Sequence, residues 1–471
     1  MSPAVRTPPD VSHWMARIDA AEPIRRRPAL TGVVHADVCI VGAGYTGLWA
    51  AYALKQAAPD LDVVIVEAEF AGYGASGRNG GAAVAQVSGS REYWARIGGR
   101  EGVVAFERAL RDAVAEMGAA IAREGIDCGF VEHGSLHVAR TTLELARQRA
   151  AVEADRAWGV GPEHTLLLDA GEVRDRLVVA GALGARLNRR CATLDPGRLV
   201  RGLAAAAERS GARIFEGSRV RTIAPGRAAT DGGEVRARFV LQATDAYSGG
   251  LAHSRRTIVP VHTSMLVTEP LSTELWAELG WQGRESVACE HPFVHLQRTT
   301  DGRITIGGDD NRIPYRFGSR PPRDAAATDR VRRTYHEELL RAFPQLQGVR
   351  VERSWQGIFG ASRDWAPSVW LDRATGLGWA GGYVGEGVAA SNLAGRTLSD
   401  LVLDRRTDLV SLPWVRPFPR RRWEPEPLRT IGAAGIWAMR AIGERAEGRS
   451  GRPSRLVEVG NRIAGFTGNA G

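Results

Sequence analysis

Lysine is almost absent from this chain. Among 471 residues only Lys55 carries an ammonium side chain, so the 62 basic residues that outweigh 53 acidic ones and give a net charge of +9 are otherwise arginine. A basic balance of this size ordinarily raises nucleic acid or an anionic membrane as partner. Here the arginines are spread along the sequence. The two dense clusters, Arg25 to Arg27 and Arg420 to Arg422, stand in Pro-containing connecting segments and read as solvated surface. No nucleic-acid partner is expected.

Cysteine is scarce as well. Cys39, Cys128, Cys191 and Cys289 are far apart and lack metal-ligand spacing, which argues against a disulfide framework and a metal centre and fits a reducing, cytoplasmic location. Long apolar runs are also missing. No stretch approaches the roughly 20 residues of a membrane span, and the opening residues show no apolar core of signal-peptide length. A soluble protein of two domains is expected from the length. No internal repeat is visible.

Glycine is plentiful, with 56 residues, and its placement is informative. From Ala36 the text "ADVCIVGAGYTGLWAAYALKQAAPDLDVVIVEAE" reads strand, glycine turn, helix, short loop, strand. The apolar runs Val38 to Val41 and Val63 to Val66 suit strands covered on both faces. Between them "GAGYTG", Gly42 to Gly47, is a GxGxxG motif. Gly42 permits the tight turn, Gly44 lets the main chain reach a pyrophosphate, and Gly47 allows the helix to press on the sheet. Glu67 ends the second strand about 20 residues on, where a carboxylate takes a ribose diol. A second glycine-rich stretch follows: "GASGRNGG", Gly74 to Gly81. So many glycines around one arginine suit a main chain lying against a long cofactor, with Ser76, Arg78 and Asn79 as donors.

Further along, helical periodicity covers Arg100 to Arg123, Leu143 to Trp158 and Pro196 to Ser210, and "GSLHVAR" at 134 to 140 reads as a strand. From Ile258 to Ile306 the text turns β-rich, with Asp301-Gly302 as a hairpin signal. A strand, glycine turn and helix return at 376 to 403. The expected organisation is therefore interleaved: 31–98, 185–250 and 350–404 form a discontinuous dinucleotide-binding domain, 99–184 and 251–349 a substrate domain, and 405–471 a C-terminal extension.

Taken together, "VGAGYTGLWAAYAL" with Glu67, "GASGRNGG", "ATDAY" at 243 to 247, "DGRITIGG" at 301 to 308, "RSWQG" at 353 to 357 and "GWAGGYVGEGV" at 378 to 388 resemble the FAD-dependent D-amino-acid-oxidase superfamily, in the branch similar to γ-glutamylputrescine oxidase. The resemblance runs from about residue 12 to 404. It implies an α/β fold, a glutathione-reductase-like FAD-binding Rossmann domain with an interleaved β-rich α+β substrate domain. It also implies an FAD-dependent enzyme that oxidises a C–N bond of an amine or amino-acid-like substrate, with oxygen or another electron acceptor. The implied FAD contacts are Gly42, Ala43, Gly44, Tyr45, Thr46, Gly47, Glu67 and Ala68 on the ADP half, with Val220, Ala243 and Thr244 beside the dinucleotide. Ser76, Gly77, Arg78, Asn79, Gly80 and Gly81 stand on the flavin side, and Gly382, Tyr383, Val384, Gly385, Gly387 and Val388 bring a helix N-terminus beneath the ring.

Departures from the family restrict the substrate. Sarcosine oxidases place a lysine just after a GHG turn; here "GEGVA" puts Ala389 there and Glu386 in the histidine's place. Lys55 belongs to the first nucleotide-domain helix and cannot activate oxygen over the ring. No cysteine lies near "WQGIFG" and no histidine in "GASGRNGG", so non-covalent FAD is expected. Candidate catalytic residues are His295, His262, Glu386 and Tyr383. Period-two alternation puts Phe293, His295 and Gln297 on one strand face, and His262 with Ser264 on another. Each stands against a packing role, and Glu386 against a solvent-facing turn. Three alternatives stay open: within redox chemistry, a hydroxy-acid or glycerol-phosphate type dehydrogenase feeding a quinone; from another class, an RNA-associated flavoprotein; and a scaffold without turnover.

Overall fold

The apolar runs Val38 to Val41 and Val63 to Val66 and the β-rich stretch from Ile258 to Ile306 end up in two different sheets. The computed structural model describes residues 7–290, 293–308, 325–417 and 421–464. The remainder of the 251–349 and 405–471 segments, including Arg420, lies outside the described residues. The first sheet runs, in spatial order, Ser368–Asp372, Leu377–Gly381, Gly233–Gln242, Gly32–Val41, Val63–Val66 and Arg213–Phe215. Its interior pairings are parallel. Val38–Val41 and Val63–Val66 are wholly buried, because helices cover one face of the sheet while Leu30 and the paired strands Val220–Ala224 and Arg227–Thr230, which extend the sheet beside Gly233–Gln242, cover the other.

Two helices, Tyr45–Ala57 and Gly387–Leu403, pack against each other in the core of this domain. They cross at Gly395, where a Cβ would lie 2.7 Å from Trp49 and from the Ala50 nitrogen. The bare glycine lets the two helices approach closely enough for their N-termini to converge.

The second sheet, of eight strands, runs Val351–Ser362, Ile258–Thr268, Ile304–Gly308, Val294–Arg298, Ser286–Cys289, Ser135–Ala139, Gly184–Asn188 and Thr165–Asp169. Register fixes its two faces. The row Leu266, Ile306, Leu296, Val287, Leu136 and Leu187 is apolar and is covered by Val331, Tyr335 and Leu339 of the helix Ala325–Ala342. The next row, Trp355, Met265, Gly307, His295, Ala288, His137 and Arg186, points the opposite way. Its Met265 and His295 meet Gly80 of the glycine-rich loop, so this face looks toward the first domain.

Two expected boundaries shift. Gly184–Asn188 and Val351–Ser362 are strands of the second sheet, although the sequence reading places 185–250 and 350–404 with the dinucleotide domain. A strand's own residues do not encode which sheet it joins; pairing partners distant in sequence decide it. The C-terminal extension forms the helices Leu428–Ser450 and Arg455–Ala464. It is tied to the body by a two-bonded Arg147–Glu447 ion pair (3.1 and 2.9 Å) and by Trp423 Nε1 donating to the Ala361 carbonyl (3.0 Å). No described helix is long and apolar enough to cross a membrane.

Candidate active site

The first sheet opens at the C-terminal ends of its strands into a cleft of about 290 Å³. Gly42, at φ 112°, turns the chain out of the strand; a Cβ there would lie 2.6 Å from the Ala243 carbonyl oxygen. Gly44 begins the helix Tyr45–Ala57 without a capping side chain. The first-turn amides therefore face the cleft with the positive end of the helix, an arrangement that binds phosphate. One of them is engaged: Tyr45 N donates to Ser76 Oγ at 2.8 Å, which fixes the second glycine loop to the first.

Glu67 stands at one end of the cleft. Its Oε2 accepts from Ala43 N (2.8 Å) and its Oε1 from Glu69 N (2.9 Å), so the carboxylate is aimed by the main chain. Burial pushes its pKa up to about 7 despite those two donors. At the other end the helix Gly387–Leu403 starts at Glu386, again without a capping side chain. Val384, a β-branched residue at φ 54°, and Gly385 at φ 94° make the turn before it. A fixed carboxylate and two uncapped helix N-termini on one cleft fit a dinucleotide whose far portion becomes anionic on reduction.

Of the sequence candidates, Gly42, Gly44, Tyr45, Thr46, Glu67, Ala68, Ser76, Asn79, Val220, Ala243, Thr244, Tyr383, Val384, Gly385, Gly387 and Val388 line this cleft. Ala43, Gly47, Gly77, Arg78, Gly80, Gly81 and Gly382 stand behind its wall. Gly47 presses on the Gly42 carbonyl and Gly77 on that of Gly72, and a Cβ would come within 2.0 and 2.2 Å of those oxygens. The Gly382 amide is held by Asp245 Oδ1 at 3.1 Å.

The glycine-rich loop is fastened from behind. Three consecutive carbonyls are each capped by a side chain: Gly77 by Ser12 Oγ (2.7 Å), Arg78 by Trp355 Nε1 (2.8 Å) and Asn79 by Trp14 Nε1 (3.0 Å). Arg78, expected as a cofactor donor, also braces its own loop. It is 3% exposed, donates from Nε to the Tyr73 carbonyl and from Nη1 to the Gln356 carbonyl (both 2.8 Å), and lies over the Tyr73 ring. A planar donor fork in a crowded loop satisfies carbonyls there and so acts as a brace. Asn79 also serves the loop, donating to the Ala75 and Ser76 carbonyls and accepting from Gly81 N.

The four catalytic candidates separate in space. His295 packs against Gly80 and Gly307, and burial lowers its pKa to about 4, so it is a neutral imidazole. His262 shares its strand face with Ser264 and Leu266, the face covered by Ala325–Ala342. The two histidines therefore sit on opposite faces of one sheet and do not share one site. Tyr383 is buried with its hydroxyl 3.0 Å from Thr46 Oγ1, on the phosphate side of the cleft, and burial raises its pKa. Glu386 accepts from Gln86 Nε2 at 2.7 Å, and burial pushes its pKa up to about 7.

Sequence reasoning missed Asp245. Held at φ 36°, it accepts from Gly360 N (2.7 Å) and Gly382 N (3.1 Å), joining three segments at the ring end of the cleft. Its signal was present in "ATDAY", a carboxylate just past a buried strand. Tyr247, the last residue of "ATDAY", also lines the cleft, as do Tyr73, Ile358 and Phe359, to which the sequence reading assigned no role.

The model of the FAD dependent oxidoreductase (DAO) family matches residues 37–401. Gamma-glutamylputrescine oxidoreductase of Escherichia coli is 31% identical over 410 residues, covering 85% of this chain and 92% of the relative. A probable oxidoreductase, OrdL, of Haemophilus influenzae is 28% identical, over 80% and 85% of the respective chains. Among solved structures, glycine oxidase from Geobacillus kaustophilus superposes with a TM-score of 0.68 at 22% identity, over 83% of this chain and all of that one, a likeness of fold. The cleft with its two helix N-termini, and the family match across most of the length, place this chain in the DAO family of FAD-dependent oxidoreductases.

Proposed function

We propose that this oxidoreductase removes two electrons from the C–N bond of a primary or secondary amine or amino-acid-like substrate. The observation that carries the reading is the position of Glu386. Gly385 and Gly387 line the cofactor cleft on either side of it, and its carboxyl group, with a pKa near neutrality, stands beside them. When bound, FAD supplies the acceptor for a hydride leaving the carbon next to nitrogen, and the resulting imine is hydrolysed by water.

The chain's own residues hold and orient. Glu67 takes the ribose, the amides at Gly44 to Thr46 the pyrophosphate, and the start of Gly387–Leu403 the end where negative charge collects. Asp245 fixes Gly360 and Gly382 relative to one another. Glu386 as carboxylate attracts the ammonium form of an amine and can accept its proton. The four cysteines are buried and none lines the cleft, which supports non-covalent FAD and a reducing, cytoplasmic setting. Oxygen or another acceptor takes the electrons onward. The naming of an amine compound in the E. coli relative supports the substrate class.

The test is anaerobic mixing of the FAD-loaded protein with a panel of amines and amino acids while the flavin absorbance is followed. Bleaching by at least one is expected; none by any would overturn the reading.

A further inference from the structure

A second cavity, of about 120 Å³, lies on the other side of Glu386. The residues flanking Glu386 line the cofactor cleft and Glu386 itself lines this second space, so the two adjoin at this turn. Part of the wall is apolar: Trp94, Phe106 and Leu110 of the helix Arg91–Arg123. The opposing wall comes from the face of the second sheet that also carries His295.

From that face Arg186 enters the cavity. It is 6% exposed, yet its guanidinium makes no hydrogen bond or ion pair with a described residue, and its Nε is buried without a partner. Neighbouring carboxylates are spoken for. Glu107 and Asp155 bond Arg91, at 2.5 and 2.9 Å, and Asp155 and Glu290 reach Arg186 only through space. His137, next in the row, is pushed down to about 3 and is neutral. Burying a guanidinium with no bonded acceptor is costly, and such a charge is normally paired.

Resting on the amine reading above, we propose that this cavity is the substrate pocket and that Arg186 binds a carboxylate carried by the amine substrate. The substrate class is then an amine joined through an apolar segment to a carboxylate. Trp94, Phe106 and Leu110 cover the segment, and the amine end meets the wall at Glu386. Arginine suits the role because its fork matches a carboxylate two bonds at a time.

The test uses FAD-loaded protein and two probes, valerate, which cannot be oxidised at nitrogen, and the pair δ-aminovalerate and n-pentylamine. Calorimetric titration is expected to show valerate binding to the wild type and to Arg198→Gln, an exposed control. Arg186→Gln should bind it about 10- to 100-fold more weakly, the loss for one charge-assisted bond pair, and Arg186→Lys should recover part. The same variant should raise the KM for δ-aminovalerate by a similar factor and leave that for n-pentylamine unchanged. Its FAD content and melting temperature should not fall, because an unpaired buried charge is being removed. Failure of valerate to bind the wild type, equal binding to Arg186→Gln, or equal loss for both amines overturns the assignment. Bleaching by amines without such discrimination leaves the amine reading standing while this inference fails.

Discussion

Gly47→Ala sets helix propensity against packing, and the structure says which wins. In an exposed helix the change gains about 1 kcal/mol, since glycine is the costlier residue there. At Gly47, however, the new methyl carbon would sit 2.0 Å from the Gly42 carbonyl oxygen and 3.1 Å from Ile40 Cγ2. A carbon and a carbonyl oxygen approach to about 3.3 Å, so roughly an ångström of movement is needed. Overpacking on this scale costs about 1–3 kcal/mol or more, which cancels or exceeds the propensity gain. The strain falls on Gly42, whose turn borders the cofactor cleft. The FAD dissociation constant should therefore rise by about 10- to 100-fold, corresponding to roughly 1.4–2.8 kcal/mol, and thermal stability should fall. Gly435→Ala is the matched control. That glycine lies in the helix Leu428–Ser450 with nothing within 4 Å of the new Cβ, and the change should stabilise by about 0.5–1 kcal/mol. Reconstitution of the apoprotein with FAD and thermal melting read both variants. A Gly47→Ala protein that keeps wild-type affinity for FAD and melts as high as the wild type would refute the steric argument.

Two more perturbations follow from the site. Glu386 has a folded pKa raised by burial from an ordinary 4.5 to about 7. Its ionisation thus opposes folding, and stability falls as pH rises from about 4.5 through 7, while amine-driven flavin reduction rises across the same upper limb. Glu386→Gln should flatten that limb and raise the apoprotein's stability above pH 7; stopped-flow reduction and melting against pH measure the two, and an unchanged profile counts against Glu386. Lys55 is 7% exposed and donates from Nζ to the carbonyls of Pro59 and Leu61, away from the cleft. Lys55→Met should cost about 2 kcal/mol yet leave turnover and reoxidation per bound FAD unchanged, and a loss of oxygen reactivity without loss of stability would contradict its structural role.

Much of the cofactor site was written in local text. Gly42, Gly44 and Glu67 act through backbone turns and strand ends set within some 25 residues, so their positions follow from short-range geometry. The sequence therefore determined the nucleotide fold, the FAD cleft and the family before any distance was known. The bracing role of Arg78 was not legible because an arginine's use depends on which carbonyls surround it, and those come from Tyr73 and the remote Gln356. Alternation paired His262 with Ser264 and His295 with Gln297, but only strand register decided that the two sets face opposite ways. Asp245 gained its role by meeting Gly360 and Gly382, more than a hundred residues away. Arg186 and Glu386 came to share one cavity only when the second sheet and the helix Arg91–Arg123 enclosed it. Backbone-driven features were thus fixed by the chain's own neighbours, whereas side-chain chemistry at the site was decided by tertiary contacts, because burial and partners alone set what a charged group can do.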